Sequence, residues 1–437
     1  MKYFLIFIFA FSIQFASAQT KEQLMHNADS IYTAKNYNEA IKIYGSAIKA
    51  GAQAGESYYK IGLCYYYLQN DSLAQKNFDL AESDGYKTAE LYTTRGLSRT
   101  YSGNTSGAMD DYNKATELQP DYYSAINNRA YLYQKLNLHS QAIADFDHLI
   151  FLQPQSATYY ARGYSWQMIS EFNKAIADYQ KAIQLDSSNS NIYVNCGNCY
   201  MAQRNITAAI SYYNLALQKN PNNALAFYTR GWAYQTNGKP ILGCEDLNKA
   251  VALGNPNASA LLANCGNLPT PGTFSYCMRK GAELSGINAQ EEISLCTQAI
   301  SMYDKGHSAI DSADLPGVYM NRGAAYLAVG DYANSEKDYN YVISKFPKSN
   351  AGTYQGGAYF GLGNLFTAKK EYKKAIANYD KAIEISKTIH VPEYYYNNRA
   401  LAKYYSGDSK GACDDYKIAL AGGQIVIPGT VLADLCK

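Results

Sequence analysis

The sequence predicts an all-α protein, an α-solenoid of antiparallel helix pairs with about eleven repeats in two arrays. Three observations carry this. Small residues recur at a nearly fixed period, at Ala28, Gly62, Gly96, Ala130, Gly163, Gly197 and Gly231, in steps of 34 with one step of 33. Twelve residues after each comes a second small residue, Ala40, Ala74, Ala108, Ala142, Ala175, Ala209 or Gly243. Four further on stands a large apolar one, Tyr44, Phe78, Tyr112, Phe146, Tyr179, Tyr213 or Leu247. Two small residues let a pair of helices cross closely, and the large one fills the next layer. Self-similarity at a period of roughly 20–50 residues marks a chain of stacked repeats.

The elements follow in order. Residues 1–18 read as a signal peptide: Lys2 gives the charge, Tyr3 to Phe15 is apolar apart from Ser12 and Gln14, and Ala16-Ser17-Ala18 is the cleavage site. The mature chain would start near Gln19 and be exported to the periplasm or the extracellular space. No later run reaches the roughly 18 apolar residues of a membrane span. The first array takes residues 21–266, seven repeats and a capping helix. Breakers such as Ser102-Gly103-Asn104 and Asn237-Gly238 part its helices, and Pro120, Pro154 and Pro221 close three units. Residues 267–272, Asn-Leu-Pro-Thr-Pro-Gly, read as a linker. The second array takes 273–437, with one degenerate repeat, three full repeats and a capping helix. Tyr276 and Arg279 mark the first helix of the degenerate repeat, and Glu291 to Ile300 its second. The full repeats are Gly323/Ser335/Tyr339, Gly363/Ala375/Tyr379 and Ala400/Ala412/Tyr416, now in steps of 40 and 37.

This period and pattern resemble the tetratricopeptide-repeat family. The resemblance covers nearly all of the chain after its leader and implies helix pairs whose first helices line a concave face. It is similar to exported repeat scaffolds of Gram-negative envelopes, which implies protein–protein interaction. The family's peptide clamp of Lys, Arg and Asn is missing, since the matching positions carry Met25, Asp29 and Lys60.

The repeats also compare with one another. Arg stands one residue before the small residue of the first helix at Arg95, Arg129, Arg162, Arg230, Arg322 and Arg399, and sixteen residues on there is Asp111, Asp145, Asp178, Asp246, Asp338 or Asp415. The four other full repeats have neither, holding Asn27/Ile43, Ile61/Asn77, Cys196/Tyr212 and Leu362/Asn378. The degenerate unit alone has the Arg without the Asp, with Arg279 opposite Leu295. Residues that appear and vanish together form ion pairs, between the helices of one repeat or across adjacent ones, because a partly buried Arg needs a carboxylate.

There are nine Cys. Gly243-Cys244 followed by Cys265, and Ala412-Cys413 followed by Cys436, share one pattern: the last full second helix of an array and a short terminal segment. A solenoid end needs a cap. The expected bridges are Cys244–Cys265 and Cys413–Cys436, against buried free thiols. Cys277 and Cys296, one on each helix of the degenerate unit, are a third candidate bridge. Cys196-Gly-Asn-Cys199 has redox spacing, but it sits inside a first helix and reads as core.

Little else carries chemistry. The five His form no metal-ligand spacing, and no phosphate loop, dinucleotide motif or nucleophile elbow occurs. No enzyme, cofactor or metal is expected. The net charge of +2 argues against a nucleic-acid binder. Tyr, in contrast, numbers 44. Thirty positions of the first helices between 89 and 257 are not needed for packing, and only Glu90 and Lys135 among them are charged, where composition would give roughly five. The expected partner-binding residues are Tyr59, Tyr66, Asn127, Asn128, Tyr131, Tyr160, Tyr164, Asn195, Asn198, Tyr228, Trp232 and Gln235. Tyr and Trp supply rigid amphipathic area, and Asn bonds both peptide N–H and C=O. The partner expected is a peptide segment or a helix of another protein. A glycan stacked on Tyr and Trp is the alternative.

Overall fold

The computed structural model describes residues 20–266, 268–269, 271, 273–304, 314–346, 353–387, 391–422 and 431–436. The signal peptide and three linker positions (267, 270 and 272) lie outside the described residues. No strand occurs among those described, and contacts divide the chain into two compact units, Met1–Ala226 and Phe227–Lys437. That division lies inside a helix, upstream of residues 267–272. The repeat register and the packing therefore set different boundaries.

In the first unit six helix pairs follow one another: α1 (Lys21–Thr33) with α2 (Tyr37–Lys49), α3 (Ala54–Tyr67) with α4 (Asp71–Ser83), α5 (Ala89–Tyr101) with α6 (Thr105–Leu118), α7 (Tyr123–Lys135) with α8 (His139–Leu152), α9 (Ser156–Met168) with α10 (Phe172–Leu185), and α11 (Ser190–Ala202) with α12 (Ile206–Lys219). Helix α13 (Ala224–Thr236) carries the division. The second unit continues with α14 (Pro240–Ala252), the short α15 (Ala258–Leu262) and a 3₁₀ turn, Ala263–Cys265. Four more pairs complete it: α16 (Phe274–Leu284) with α17 (Ala289–Asp304), α18 (Leu315–Ala328) with α19 (Tyr332–Lys345), α20 (Thr353–Ala368) with α21 (Tyr372–Ser386), and α22 (Glu393–Tyr405) with α23 (Ser409–Ala421). The terminal α24 (Val431–Leu435) packs on α22 and α23.

The pattern of small and large residues explains the pairs. A Cβ at Gly96, Gly163 or Gly197 would lie 2.8, 2.9 or 2.5 Å from the ring of Tyr112, Tyr179 or Tyr213 on the paired helix. The ring fills the space that the missing side chain leaves. Seven residues after each small residue the backbone turns left-handed, at Gly103, Gly238, Gly330 and Gly407 but also at Lys35, Gln69, Asn137, Ser170, Arg204 and Lys370. One residue with φ between +58° and +93° thus turns the first helix into the second, and only four of these ten turns use glycine.

All six Arg residues grip their Asp side-on. Nε and Nη2 reach the two carboxylate oxygens at 3.0 and 2.7 Å in Arg95–Asp111, 2.9 and 2.7 Å in Arg129–Asp145, and 2.8 and 2.6 Å in Arg162–Asp178. Arg230–Asp246, Arg322–Asp338 and Arg399–Asp415 repeat this at 2.6 to 2.8 Å. The remaining nitrogen, Nη1, reaches back to the preceding repeat's second helix. Arg95 donates to Asp79 and Glu82, Arg129 to Asn113 and Thr116, Arg162 to Asp147, and Arg399 to Asp380. Each such Arg therefore ties three helices. The degenerate pair makes the tie with Lys280 instead, whose Nζ lies 2.9 Å from Glu291 of its own second helix and 2.8 Å from Glu245 of α14.

Cys244 is bonded to Cys265 and Cys413 to Cys436, with Cα atoms 6.0 and 5.3 Å apart. The first bond ties α14 to the 3₁₀ turn, and the second ties α23 to the residue after α24. Cys277 and Cys296 do not bridge; both are free and buried in one apolar cluster. The reason is register: Cys296 packs opposite Gly281, where an added Cβ would meet its Sγ at 3.2 Å, one turn beyond Cys277. Cys64, Cys196 and Cys199 are buried free thiols too, and burial pushes all three up to about 12, which keeps them protonated and unreactive.

Three outcomes test this packing. Alkylation of the unfolded, unreduced protein, read by mass spectrometry, should count five thiols; seven or more would remove a staple. Arg95 is 2% exposed and Asp111 1%, so Arg95→Met should cost about 3–5 kcal/mol in urea unfolding. Burial would raise the Glu82 carboxyl, but Arg95, Tyr92 and Lys114 hold it down at about 2 against an ordinary 4.5. Its contribution is complete above the ordinary value and is lost as pH falls from there toward 2. Over that window the wild-type unfolding midpoint should drop more steeply than that of Glu82→Gln.

Candidate partner-binding site

The first helices of neighbouring pairs touch one another, α3 with α5, α5 with α7 and α9 with α11, whereas their second helices stand further apart. The first helices thus occupy the tighter side of the first unit. Their outward positions are those that the small residue, the Arg and the packing residues leave free.

Much of that face is already engaged by the second helices. The recurrent Tyr lies buried, and its hydroxyl emerges beside the first helix one or four residues past the small residue. Tyr44 donates to Asp29 at 2.6 Å, Tyr179 to Gln167 at 2.7 Å, Tyr213 to Asn198 at 2.8 Å and Tyr379 to Asn364 at 2.7 Å; the Tyr112 and Thr100 hydroxyls are 3.1 Å apart. Phe146 has no hydroxyl to place, and the facing residue meets it with a ring: Tyr131 sets its ring edge-on to Phe146 at 5.5 Å. Part of the Asn and Gln on this face therefore satisfies buried phenols.

The twelve expected residues divide accordingly. Tyr59 is not on the surface; it is 2% exposed, stacked on Tyr86 at 5.1 Å and tilted against Phe78. The connector residue Tyr86 covers it, which the helical period does not reveal. Asn198 is held by Tyr213. Asn195 donates to the Tyr160 hydroxyl at 3.0 Å, joining α11 to α9, and the Tyr160 ring tilts against Tyr179. Gln235 turns toward the staple, with its Nε2 3.5 Å from Cys244 Sγ and 3.6 Å from Cys265 Sγ.

Free area remains at Tyr131, 44% exposed, and Tyr164, 39% exposed, with the half-buried Asn127 and Asn128 beside them. Neither Asn makes a side-chain hydrogen bond among the described residues. Burial pushes the Tyr131 and Tyr160 phenols up, so both stay neutral. In the second unit Trp232 is 45% exposed, with Tyr228 half-buried one turn before it. Tyr66 is half-buried near the highly exposed Tyr67 and Tyr101. Among the described residues no group of His, Cys, Asp and Glu is arranged to hold a metal ion, and no helix is long and apolar enough to cross a membrane.

The hydroxyl-to-amide pairing gives a direct test. Tyr213→Phe removes the bond to Asn198 and should cost about 0.5–1.5 kcal/mol. Thermal unfolding of Tyr213→Phe, Asn198→Leu and the double variant would measure the coupling.

Comparison with known proteins agrees with this architecture. Models described as tetratricopeptide repeat match residues 89–122, 190–223 and 357–388, and one described as TPR repeat matches 170–204. A curated relative, the BBSome complex member BBS4 of Bos taurus, is 27% identical over 141 residues, 31% of this chain, and the match spans a quarter of that protein's length. Among solved structures, the C-terminal part of a TPR repeat-containing protein from Cytophaga hutchinsonii is 21% identical, covering 54% of this chain and 98% of that one with a TM-score of 0.47. MamA is 22% identical, covering 42% and 98% with a TM-score of 0.36, and YrrB, a TPR protein, is 20% identical, covering 43% and 97% with a TM-score of 0.37. With the repeat matches at several positions and consecutive helix pairs closed by the same contacts, the chain belongs to the tetratricopeptide-repeat family.

Proposed function

We propose that this protein is a non-enzymatic protein–protein interaction scaffold that receives peptide segments or partner helices on its first-helix faces. The observation that carries this is the surface formed by Asn127, Asn128, Tyr131 and Tyr164. It has no charged side chain, two amides without internal partners, and two exposed rings already positioned by packing against the second helices. Unsatisfied Asn amides can pair with a peptide backbone, and ordered Tyr rings lose little conformational freedom on binding. Trp232 and Tyr228 offer a comparable patch in the second unit.

The cellular setting we infer is outside the cytoplasm. The leader-like start of the sequence and two disulfides both fit an oxidising compartment. The recurrent Arg and Asp of the repeats are held in structural ties, which supports binding over catalysis.

The deciding experiment uses the oxidised protein as bait for its native envelope fraction, with each captured protein then purified and titrated calorimetrically. Wild type should bind such a protein at least tenfold more tightly than Asn128→Ala/Tyr131→Ala/Tyr164→Ala of matched thermal midpoint. Equal binding by the variant would remove the face from the mechanism. Retention of polysaccharide with no protein would replace the reading with glycan binding.

A further inference from the structure

The first unit holds a cleft of about 540 Å3 lined by Tyr66, Tyr67, Gln69, Asp71 and Tyr101. Tyr66 meets Tyr67 edge-on at 5.5 Å and 70°, and tilts against Tyr101 at 6.4 Å and 31°. Tyr67 is backed by Tyr37, stacked at 5.2 Å. The rings are thus braced, while Tyr67 and Tyr101 remain 52% and 68% exposed. Beside them Asp71 accepts a bond from the Ser98 hydroxyl at 2.8 Å on Oδ1. Among the described residues no cation lies within 4.0 Å of its carboxylate.

Comparison between repeats separates scaffold from addition. The second unit repeats the Tyr37, Tyr67 and Tyr66 part of this arrangement, without Tyr101: Tyr372 stacks on Tyr405 at 5.4 Å, and Tyr404 meets Tyr405 edge-on at 5.3 Å. The triad is therefore a packing device available to any repeat. Asp71 is not part of it. It stands three residues before the small residue of the second helix, where the nine other full repeats carry Tyr, Phe, Ile, Pro, His, Thr or Ser and never an acid. Its counterpart beside the second triad is Ser409. Asp71 does open α4 and gains from that helix's N-terminus, but Ser, Thr or Asn would meet the same need without a charge.

We propose that this cleft seats a cationic side chain, Arg or Lys, of a bound polypeptide. The Asp71 carboxylate would take the charge, and the Tyr66, Tyr67 and Tyr101 rings would take the cation's flanks. A cation near an aromatic face is attracted by the ring quadrupole, more so where water is partly excluded. The chain uses this contact internally, with Lys60 over Tyr32 and Arg162 over Tyr159. The cleft adds a negative charge to a surface with few charged side chains and would set the register of a segment lying on it. This inference rests on the scaffold reading above.

The test titrates the full oxidised chain with N-acetyl-arginine methylamide and its neutral citrulline analogue, read by saturation-transfer NMR. The arginine probe should bind at least tenfold more tightly than the citrulline one. Asp71→Asn should erase that difference, Tyr101→Ala should weaken the arginine probe several-fold, and Tyr101→Phe should leave it unchanged, because the ring face acts and not the hydroxyl. Equal binding of both probes, or full binding by Asp71→Asn of unchanged thermal midpoint, overturns the proposal. So does binding of methyl β-glucopyranoside that Tyr101→Phe abolishes, which would make the cleft a sugar seat. The Asn128→Ala/Tyr131→Ala/Tyr164→Ala variant keeps the cleft, so failure of the broad face and failure of the cleft give different results.

Discussion

Nearly every repeat depends on one close approach: the backbone of a first helix against a ring carried by its second, with Leu247 taking the ring's place in the repeat of Gly231. At Gly62, Gly96, Gly163, Gly197 and Gly363 a methyl group would overlap that ring, at Gly323 it would come within 3.1 Å, and where the small residue is alanine it is wholly buried. This contact sets the distance between the paired helices. It also fixes where the ring ends, and so places a phenol hydroxyl at the edge of the opposite face. Packing and surface chemistry are therefore not independent here. Where the ring is Tyr44, Tyr112, Tyr179, Tyr213 or Tyr379 its neighbour on the first helix is a carboxylate, a hydroxyl or an amide, and where it is Phe146 the neighbour is another ring.

The Arg residues add direction to that stack. A side-on pair with Asp consumes Nε and Nη2 and leaves Nη1 aimed at the previous repeat, so one guanidinium closes its own pair and fastens it to the one before. A lysine has no such fork. Yet Lys280 reaches two carboxylates on two second helices from one ammonium, which accounts for how the degenerate pair keeps its place without the Arg/Asp couple. Desolvating these charges is costly, and their value lies in specifying which helix sits beside which.

Much of this was legible in the sequence because the repeats serve as their own comparison set. The Gly/Tyr spacing revealed the helix pairs, and the joint presence of Arg and Asp pointed to a bond that the geometry now makes specific. What stayed hidden depends on residues outside the period. Tyr59 has the helical phase of a surface residue, yet Tyr86, in a connector, covers it. Gln235 has the phase of the face but turns to the disulfide. Cys277 and Cys296 lie on paired helices, and a one-turn offset parts them. Phase gives the side of a helix on which a residue stands; it does not say which neighbour reaches that side first. The Asp71 cleft was missed for the opposite reason, since a lone departure from a repeat pattern looks like drift until the rings around it are placed.

The backward reach of the Arg residues bears on how such a chain can grow. A repeat holding Arg and Asp is not a self-sufficient cassette, because its third bond is completed by an acceptor such as Asp79, Asn113, Asp147 or Asp380 on the repeat ahead of it. Duplication that copies a single repeat behind itself preserves the fit only if that repeat also supplies the acceptor, as the one from Tyr123 to Leu152 does with Asp147. Recombination between arrays would then favour breakpoints in front of an acceptor-bearing second helix over breakpoints in the connectors, and the inheritable module would run from the second helix of one pair through the second helix of the next.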